Sequence, residues 1–442
     1  MQSEKPLQIH NFKMKRIFIC LSILTFLTTL SFAKSNPNEK IGNDRFSIKA
    51  QYMMGFYIDK HSNMTADMPS APVGINLGVE FPSSQQRPWQ QYLQNPTVGL
   101  GMTYLNLGSE RYGHVVALYP YIMLNCVRVK NFEMKVKLAS GLGVVNEHWY
   151  TQEDQNVDHY YDKTTNAIFG CYLNAYLSAG LNLDFPITRN LAINSEFGFI
   201  HMCNGRMFMP NVGANIFYGG LGVIATINPE KEEREPIQFP NLPYKWSLNV
   251  SVSAGMVAAD IEKKKFLMNG FHAGAIYNVC NWYGVGAGMD VFFNDEIDKD
   301  TRRNLYSKEI DYKTKDKIRV GLALNNEFKF GVVTALLDWG VYLYNPSRNY
   351  YDYYVKNHGF TSRPLFYKSA GPGVEQAFHY IRFGARCRVW DNLYVQALAK
   401  LHMQICEYIE FGVGYQIPFL RKGKHLEGKS ILYHHHKQWW KD

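Results

Sequence analysis

A histidine, a thiol and a carboxamide fall within one short stretch of this chain. Phe199-Ile200-His201-Met202-Cys203-Asn204-Gly205 is followed closely by Pro210-Asn211-Val212-Gly213-Ala214-Asn215. A thiolate is an intrinsically strong nucleophile, and a neighbouring imidazole promotes its formation by taking the thiol proton. An amide beside that imidazole can hold it in one orientation, as in Cys-His-Asn arrangements. Such chemistry requires the three groups to share a face. In a β-strand, residues two apart do. Leu191, Ile193, Ser195, Phe197, Phe199, His201 and Cys203 then line one mostly apolar side. Ala192, Asn194, Glu196, Gly198 and Ile200 line the other. After the Pro-Asn-Val-Gly turn, the next strand reads Asn215, Phe217, Gly219, Leu221 and Val223 on one face. If the two apolar faces belong to one side of a sheet, Asn215 joins His201 and Cys203.

The rest of the chain supplies the sheet. Alternating segments begin at Phe46 and predict strands near 46–58, 72–82, 97–108, 112–127, 132–146, 168–184, 190–203 and 213–227. A charged, Pro-containing break at 229–244 follows, and the pattern resumes near 245–257, 266–279, 282–294, 317–329, 331–345, 377–389, 392–405 and 407–418. Lengths of ~10 residues or more exceed the usual globular strand and fit tilted strands that cross a membrane. Tight links such as Thr188-Arg189-Asn190 alternate with long polar insertions at 147–166, 296–316 and 346–375. Short turns at one end and long loops at the other are an outer-membrane barrel habit. The halves match in length and strand number, which suggests a duplicated unit. The expected fold is therefore all-β: a transmembrane antiparallel β-barrel, either two eight-stranded units or one barrel of about sixteen strands. Odd strands of such barrels run outward, so His201 and Cys203 are expected at the exterior end of the seventh strand, facing lipid. A histidine there is costly unless it is partnered.

Composition agrees. The 442 residues are 46% hydrophobic, with 30 Tyr, 27 Phe and 35 Gly, which suits alternation in strands and not apolar helices. The net charge of +9 is scattered, so no nucleic-acid-binding stripe is expected. Outside the leader stand Cys126, Cys171, Cys203, Cys280, Cys387 and Cys406, in no C-x-x-C pair; mostly free, buried thiols are expected and zinc is not. Met14-Lys15-Arg16, the apolar run 17–32 and Ser31-Phe32-Ala33 read as a cleaved secretory signal peptide. The expected organisation is a leader at 1–33, a first barrel half at 45–228, a linker at 229–244, a second half at 245–420 and a polar tail at 421–442.

Together, His201 with Asn204-Gly205, the Pro-Asn-x-Gly turn and the strand reopening at Asn215 resemble the lipid A 3-O-deacylase and acyloxyacyl hydrolase family, in its longer Bacteroidetes-type form. The stretch 165–174 and the endings Ala397-Leu398-Ala399-Lys400-Leu401-His402 and Glu410-Phe411-Gly412-Val413-Gly414-Tyr415 are also similar. The resemblance implies an eight-stranded barrel unit in the bacterial outer membrane, no metal or cofactor, and a serine nucleophile activated by the histidine and oriented by an acidic residue. It further implies ester-linked acyl chains of lipid A or lipopolysaccharide as substrate, so the expected partner is a membrane lipid. Cys203 stands where the family has serine, and Asn215 where a full triad has glutamate. On this basis His201, Cys203 and Asn215 are the candidate catalytic residues, with Asn204 and Gly205 supporting the oxyanion. The alternative is a catalytically inactive barrel of the same kind, acting as a structural, binding or pore protein.

Other candidates are weaker. His61-Ser62 are adjacent, so in an extended segment they point to opposite faces. His402 and Glu407 read as a strand residue and a turn residue with no nucleophile at equivalent spacing, since Gln404 stands two after His402. His434-His435-His436 reads as part of a solvated tail.

Overall fold

The computed structural model describes residues 45–58, 70–83, 88–151, 166–229, 242, 244–258, 265–295, 313–346, 378–402 and 405–420. Sixteen antiparallel strands account for most of them. The first eight are β1 (Phe46–Tyr57), β2 (Val73–Pro82), β3 (Thr97–Asn106), β4 (His114–Val129), β5 (Phe132–Val145), β6 (Leu173–Pro186), β7 (Leu191–Cys203) and β8 (Ala214–Ile227). The second eight are β9 (Tyr244–Ala258), β10 (Lys265–Asn278), β11 (Tyr283–Asn294), β12 (Ile318–Phe330), β13 (Val333–Tyr344), β14 (His379–Trp390), β15 (Leu393–His402) and β16 (Ile405–Leu420). Each set closes on itself: β1 pairs with β8, and β9 with β16. The chain divides into two compact units, each holding one barrel. Of the two closures the sequence allowed, the fold is thus two eight-stranded barrels. Among the described residues no helix is long and apolar enough to cross a membrane.

Alternation sets which way each side chain points, and the barrels are apolar outside and polar inside. On β1, Ile48, Tyr52, Met54 and Phe56 are exposed, whereas Ser47, Lys49, Gln51 and Met53 are buried. On β8, Phe217, Leu221 and Val223 are exposed. In water this would be an aggregating surface; against lipid it is the favoured one. Eight strands leave an interior just wide enough for side chains to fill. In the first barrel, Glu196 accepts from Lys49 (2.7 Å), Lys137 (3.0 Å) and the Tyr218 hydroxyl. Lys135 pairs with Asp184 at 2.8 Å, and Tyr119 stacks on Tyr176 with centroids 4.7 Å apart. In the second, Arg382 bridges Asp290 and Glu410 at 2.7 Å each, Arg386 reaches Glu327 at 2.8 Å and Arg319 reaches Glu407 at 2.7 Å. These buried charges are tolerated because each faces an opposite charge.

Two local expectations change. Strand β6 begins at Leu173, not near 168, because Ile168 and Phe169 turn inward and are fully buried. Glu407 lies in β16 and not in a turn, because the β15–β16 link is only two residues long. Its carboxylate is buried beside Arg319 and Lys400. None of the six described cysteines is in a disulfide; Cys171, Cys203 and Cys387 are buried, Cys280 and Cys406 half-buried and Cys126 exposed. The signal-peptide reading, His61-Ser62, Gln404 and the His434-His435-His436 tail lie outside the described residues.

Candidate active site

The β7–β8 hairpin carries the candidate residues at the end opposite the tight Thr188-Arg189-Asn190 link. In its ladder His201 pairs with Asn215 and Met202 with Ala214, where the β7–β8 pairing ends. Cys203 continues one residue further and stays in register with Ala175 of β6. The odd-numbered β7 residues from Leu191 to His201 are exposed or half-buried, whereas Cys203 at the strand end is buried. Phe197 is exposed, Phe199 and His201 are half-buried, and Cys203 is 7% exposed, while Ile200 and Met202 are sealed inside.

Cross-strand pairing brings two of the three polar groups together. His201 Nδ1 and Asn215 Oδ1 are 2.6 Å apart. An amide oxygen can only accept, so Nδ1 carries the proton and donates it. That tautomer leaves the basic lone pair on Nε2, the nitrogen a neighbouring thiol would use. The structure thus joins His201 to Asn215 directly. Cys203 and His201 are both neighbours of a residue that sequence reasoning passed over, Gly213. A Cβ on Gly213 would stand 3.3 Å from Cys203 Cβ, 3.5 Å from His201 Cε1 and 2.9 Å from the Met202 carbonyl oxygen. Gly213 also has φ +78°, a conformation that glycine adopts without steric cost.

The turn after Cys203 organises itself around Asn204. Its backbone N–H donates to Asn211 Oδ1 at 2.9 Å. Its Oδ1 accepts from the Phe208 N–H at 3.3 Å, and its carbonyl accepts from the Met207 N–H at 3.2 Å. Asn204 is 2% exposed, yet its Nδ2 has no hydrogen-bond partner among the described residues. A buried amide donor without an acceptor is costly and marks a place where a ligand oxygen would be welcome. Gly205 and Arg206 follow at φ +61° and +62°, so two successive left-handed residues reverse the chain. Asn211 was visible in the sequence only as part of a turn; its role as acceptor for Asn204 depends on how the ten-residue loop closes.

Below the polar rim the outward face is aromatic. Phe199 and Phe217 are cross-strand neighbours with ring centroids 5.6 Å apart, and Phe56 of β1 lies 5.8 Å from Phe217. The His201–Asn215 pair therefore sits directly above an exposed apolar wall. Among the described residues no group of three His, Cys, Asp or Glu side chains is arranged to hold a metal.

Comparison with known proteins adds a family. The model for lipid A 3-O-deacylase (PagL) matches residues 73–223, which include His201, Cys203 and Asn215. The model for the acyloxyacyl hydrolase C-terminal domain matches residues 246–361. Among solved structures, the outer membrane enzyme PagL is 14% identical, with 40% of this chain and 97% of that one covered and a TM-score of 0.27. Neisserial surface protein A is 8% identical, covering 42% and 99%, with a TM-score of 0.24. A Rh. blastica porin mutant is 10% identical, covering 84% and 99%, with a TM-score of 0.17. Curated protein sequences gave no match.

Proposed function

The chain belongs to the outer-membrane lipid A 3-O-deacylase and acyloxyacyl hydrolase family, and from that membership we propose that it hydrolyses an acyl ester of lipid A or lipopolysaccharide with Cys203 as nucleophile. The observation that carries this reading is the 2.6 Å bond between His201 Nδ1 and Asn215 Oδ1. It fixes an otherwise expensive outward-facing histidine in the tautomer a general base needs.

The steps follow from the groups present. Cys203 Sγ attacks the ester carbonyl while His201 Nε2 takes the thiol proton. The carbonyl oxygen becomes an oxyanion, for which Asn204 Nδ2, without a partner among the described residues, and backbone N–H groups near Gly205 are the proposed donors. The tetrahedral intermediate expels the sugar oxygen, and the imidazolium protonates it. A thioester then links the acyl chain to Cys203. Water, deprotonated by His201, attacks that thioester and returns the free thiol and a fatty acid. Asn215 accepts from Nδ1 throughout, so the ring need not reorient between steps. The acyl chain lies against Phe199, Phe217 and Phe56, reached sideways from the bilayer, so a soluble substrate is not expected. In this reading residues 1–33 are a leader whose signal peptide exports the chain to the bacterial outer membrane, 45–228 are the catalytic half and 245–420 a second, non-catalytic half.

Incubation of the purified chain with lipid A, followed by peptide mass spectrometry, tests the thioester. We expect a hydroxylamine-sensitive acyl group on Cys203 and free fatty acid in solution. Equal fatty acid release by Cys203→Ala would remove Cys203 from the reaction.

A further inference from the structure

We propose that Gly213, with the buried strap formed by residues 166–169, positions the His201–Cys203 pair; this rests on the nucleophile reading above. Gly213 stands where three parts of the first barrel meet. Its N–H donates to the Ile168 carbonyl oxygen at 3.0 Å. Ile168 and Phe169 are fully buried, and the Phe169 carbonyl accepts from the Trp149 N–H at 2.8 Å. At the other end of the strap, Asn166 is fully buried and its Nδ2 donates to the Arg111 carbonyl oxygen at 3.0 Å. The strap is therefore pinned to the β3–β4 link through Arg111 and to the short turn at Trp149, and it holds Gly213 from behind.

On its other side Gly213 abuts the chemistry. The Met202 carbonyl belongs to the residue between His201 and Cys203, and Met202 is fully buried, so that peptide has no open space to retreat into. A methyl group on residue 213 would approach this carbonyl to 2.9 Å and Cys203 Cβ to 3.3 Å. One of them must shift, and either shift changes how the thiol sits against the imidazole. Asn215 fixes the ring through Nδ1, whereas Gly213 fixes the backbone that carries the ring and the thiol. Gly213 and Asn166 touch neither substrate nor reacting atoms in this scheme; they act through His201 and Cys203. Misplacement of a reacting group by about 1 Å can cost ~100-fold in rate.

The test uses the full chain in detergent micelles, with Gly213→Ala, Gly213→Asn and Asn166→Ala beside the wild type. Steady-state turnover of lipid A gives kcat and KM. The 15N signals of labelled histidine report the His201 tautomer, assigned by their loss in His201→Gln. Heat-modifiable mobility on a gel reports that the barrel remains closed. We expect Gly213→Ala to lower kcat by roughly 100-fold with KM within about threefold, and to remove or broaden the His201 Nδ1–H signal. Gly213→Asn should fare no better, because it keeps the intruding Cβ although asparagine tolerates a positive φ. Asn166→Ala should lower kcat by about tenfold. Wild-type kcat in Gly213→Asn would reduce Gly213 to a matter of backbone strain and overturn the proposal, as would an unchanged His201 signal in both Gly213 variants. Absence of Cys203-dependent turnover in the wild type would instead overturn the nucleophile reading, and the His201 signal would still decide whether Gly213 positions the ring.

Discussion

At the scale of single residues, the proposed chemistry turns on Cys203 and Asn215. They stand where the family resemblance implies a serine and a glutamate, so the proposal has sulfur in place of oxygen and a neutral amide in place of a carboxylate. These changes are mutually consistent. A hydroxyl nucleophile gives up its proton reluctantly and gains from a carboxylate behind the imidazole. A thiolate–imidazolium pair needs orientation more than a counter-charge, and an amide oxygen supplies it. Asn215→Ala removes the acceptor from Nδ1 and frees the ring to flip. It is expected to lower kcat by about 100-fold while KM for lipid A stays nearly unchanged, measured by steady-state fatty acid release. Asn204→Ala, which deletes the buried Nδ2, is expected to cost a similar ~100-fold in kcat if that donor meets the oxyanion. The His201–Asn215 pair was legible in the sequence because alternation puts His201 on the apolar face of β7 and hairpin pairing places Asn215 opposite it. Gly213 and Asn211 were not. A glycine in a Pro-Asn-Val-Gly turn is expected for turn geometry alone, and nothing local says that its missing side chain leaves room for the Met202 carbonyl and Cys203.

At the scale of elements, the strands are held by opposite solvents on their two faces. Along β8, Leu221 is exposed near the middle of the strand, whereas its neighbours Gly220 and Gly222 are not exposed. Leu221→Arg would place a cation against the hydrocarbon and is expected to destabilise the barrel by roughly 2–4 kcal/mol, read from urea unfolding in lipid vesicles. Inside, Glu196 on β7 joins Lys49 of β1 and Lys137 of β5 across the lumen. Glu196→Ala leaves both ammonium groups buried without their partner and is expected to cost about 3–5 kcal/mol in the same assay. The positions of the strands were readable because membrane barrels impose alternation with few exceptions. Two places that misled show the limit. Ile168 and Phe169 are apolar enough to extend β6 but belong to a strap that turns inward. Glu407 looked like a turn residue because a charge beside a chain reversal is ordinarily solvated, whereas here Arg319 and Lys400 hold it within the second lumen.

At the scale of the whole molecule, each half closes independently into an eight-stranded barrel. One barrel of about sixteen strands was equally compatible with the sequence, because strand number and alternation are the same in both. The difference lies in whether β8 returns to β1, a pairing between residues far apart in the chain that no local pattern encodes. Closure in two small barrels has a functional consequence. Eight strands leave an interior that side chains can fill, unlike the aqueous channel that larger barrels enclose, and the described inward side chains are largely buried. In planar lipid bilayers the protein is therefore expected to give no steady single-channel conductance; a stable ohmic pore would favour the non-enzymatic alternative.

The most direct measurement is mass spectrometry of lipid A from cells expressing the wild type, Cys203→Ala and Cys203→Ser. With Cys203 as nucleophile, the wild type removes one ester-linked acyl chain and Cys203→Ala leaves lipid A intact. Identical acyl patterns in all three would contradict hydrolysis by this site. Loss of a chain only with Cys203→Ser would make the natural protein a disabled relative of its family.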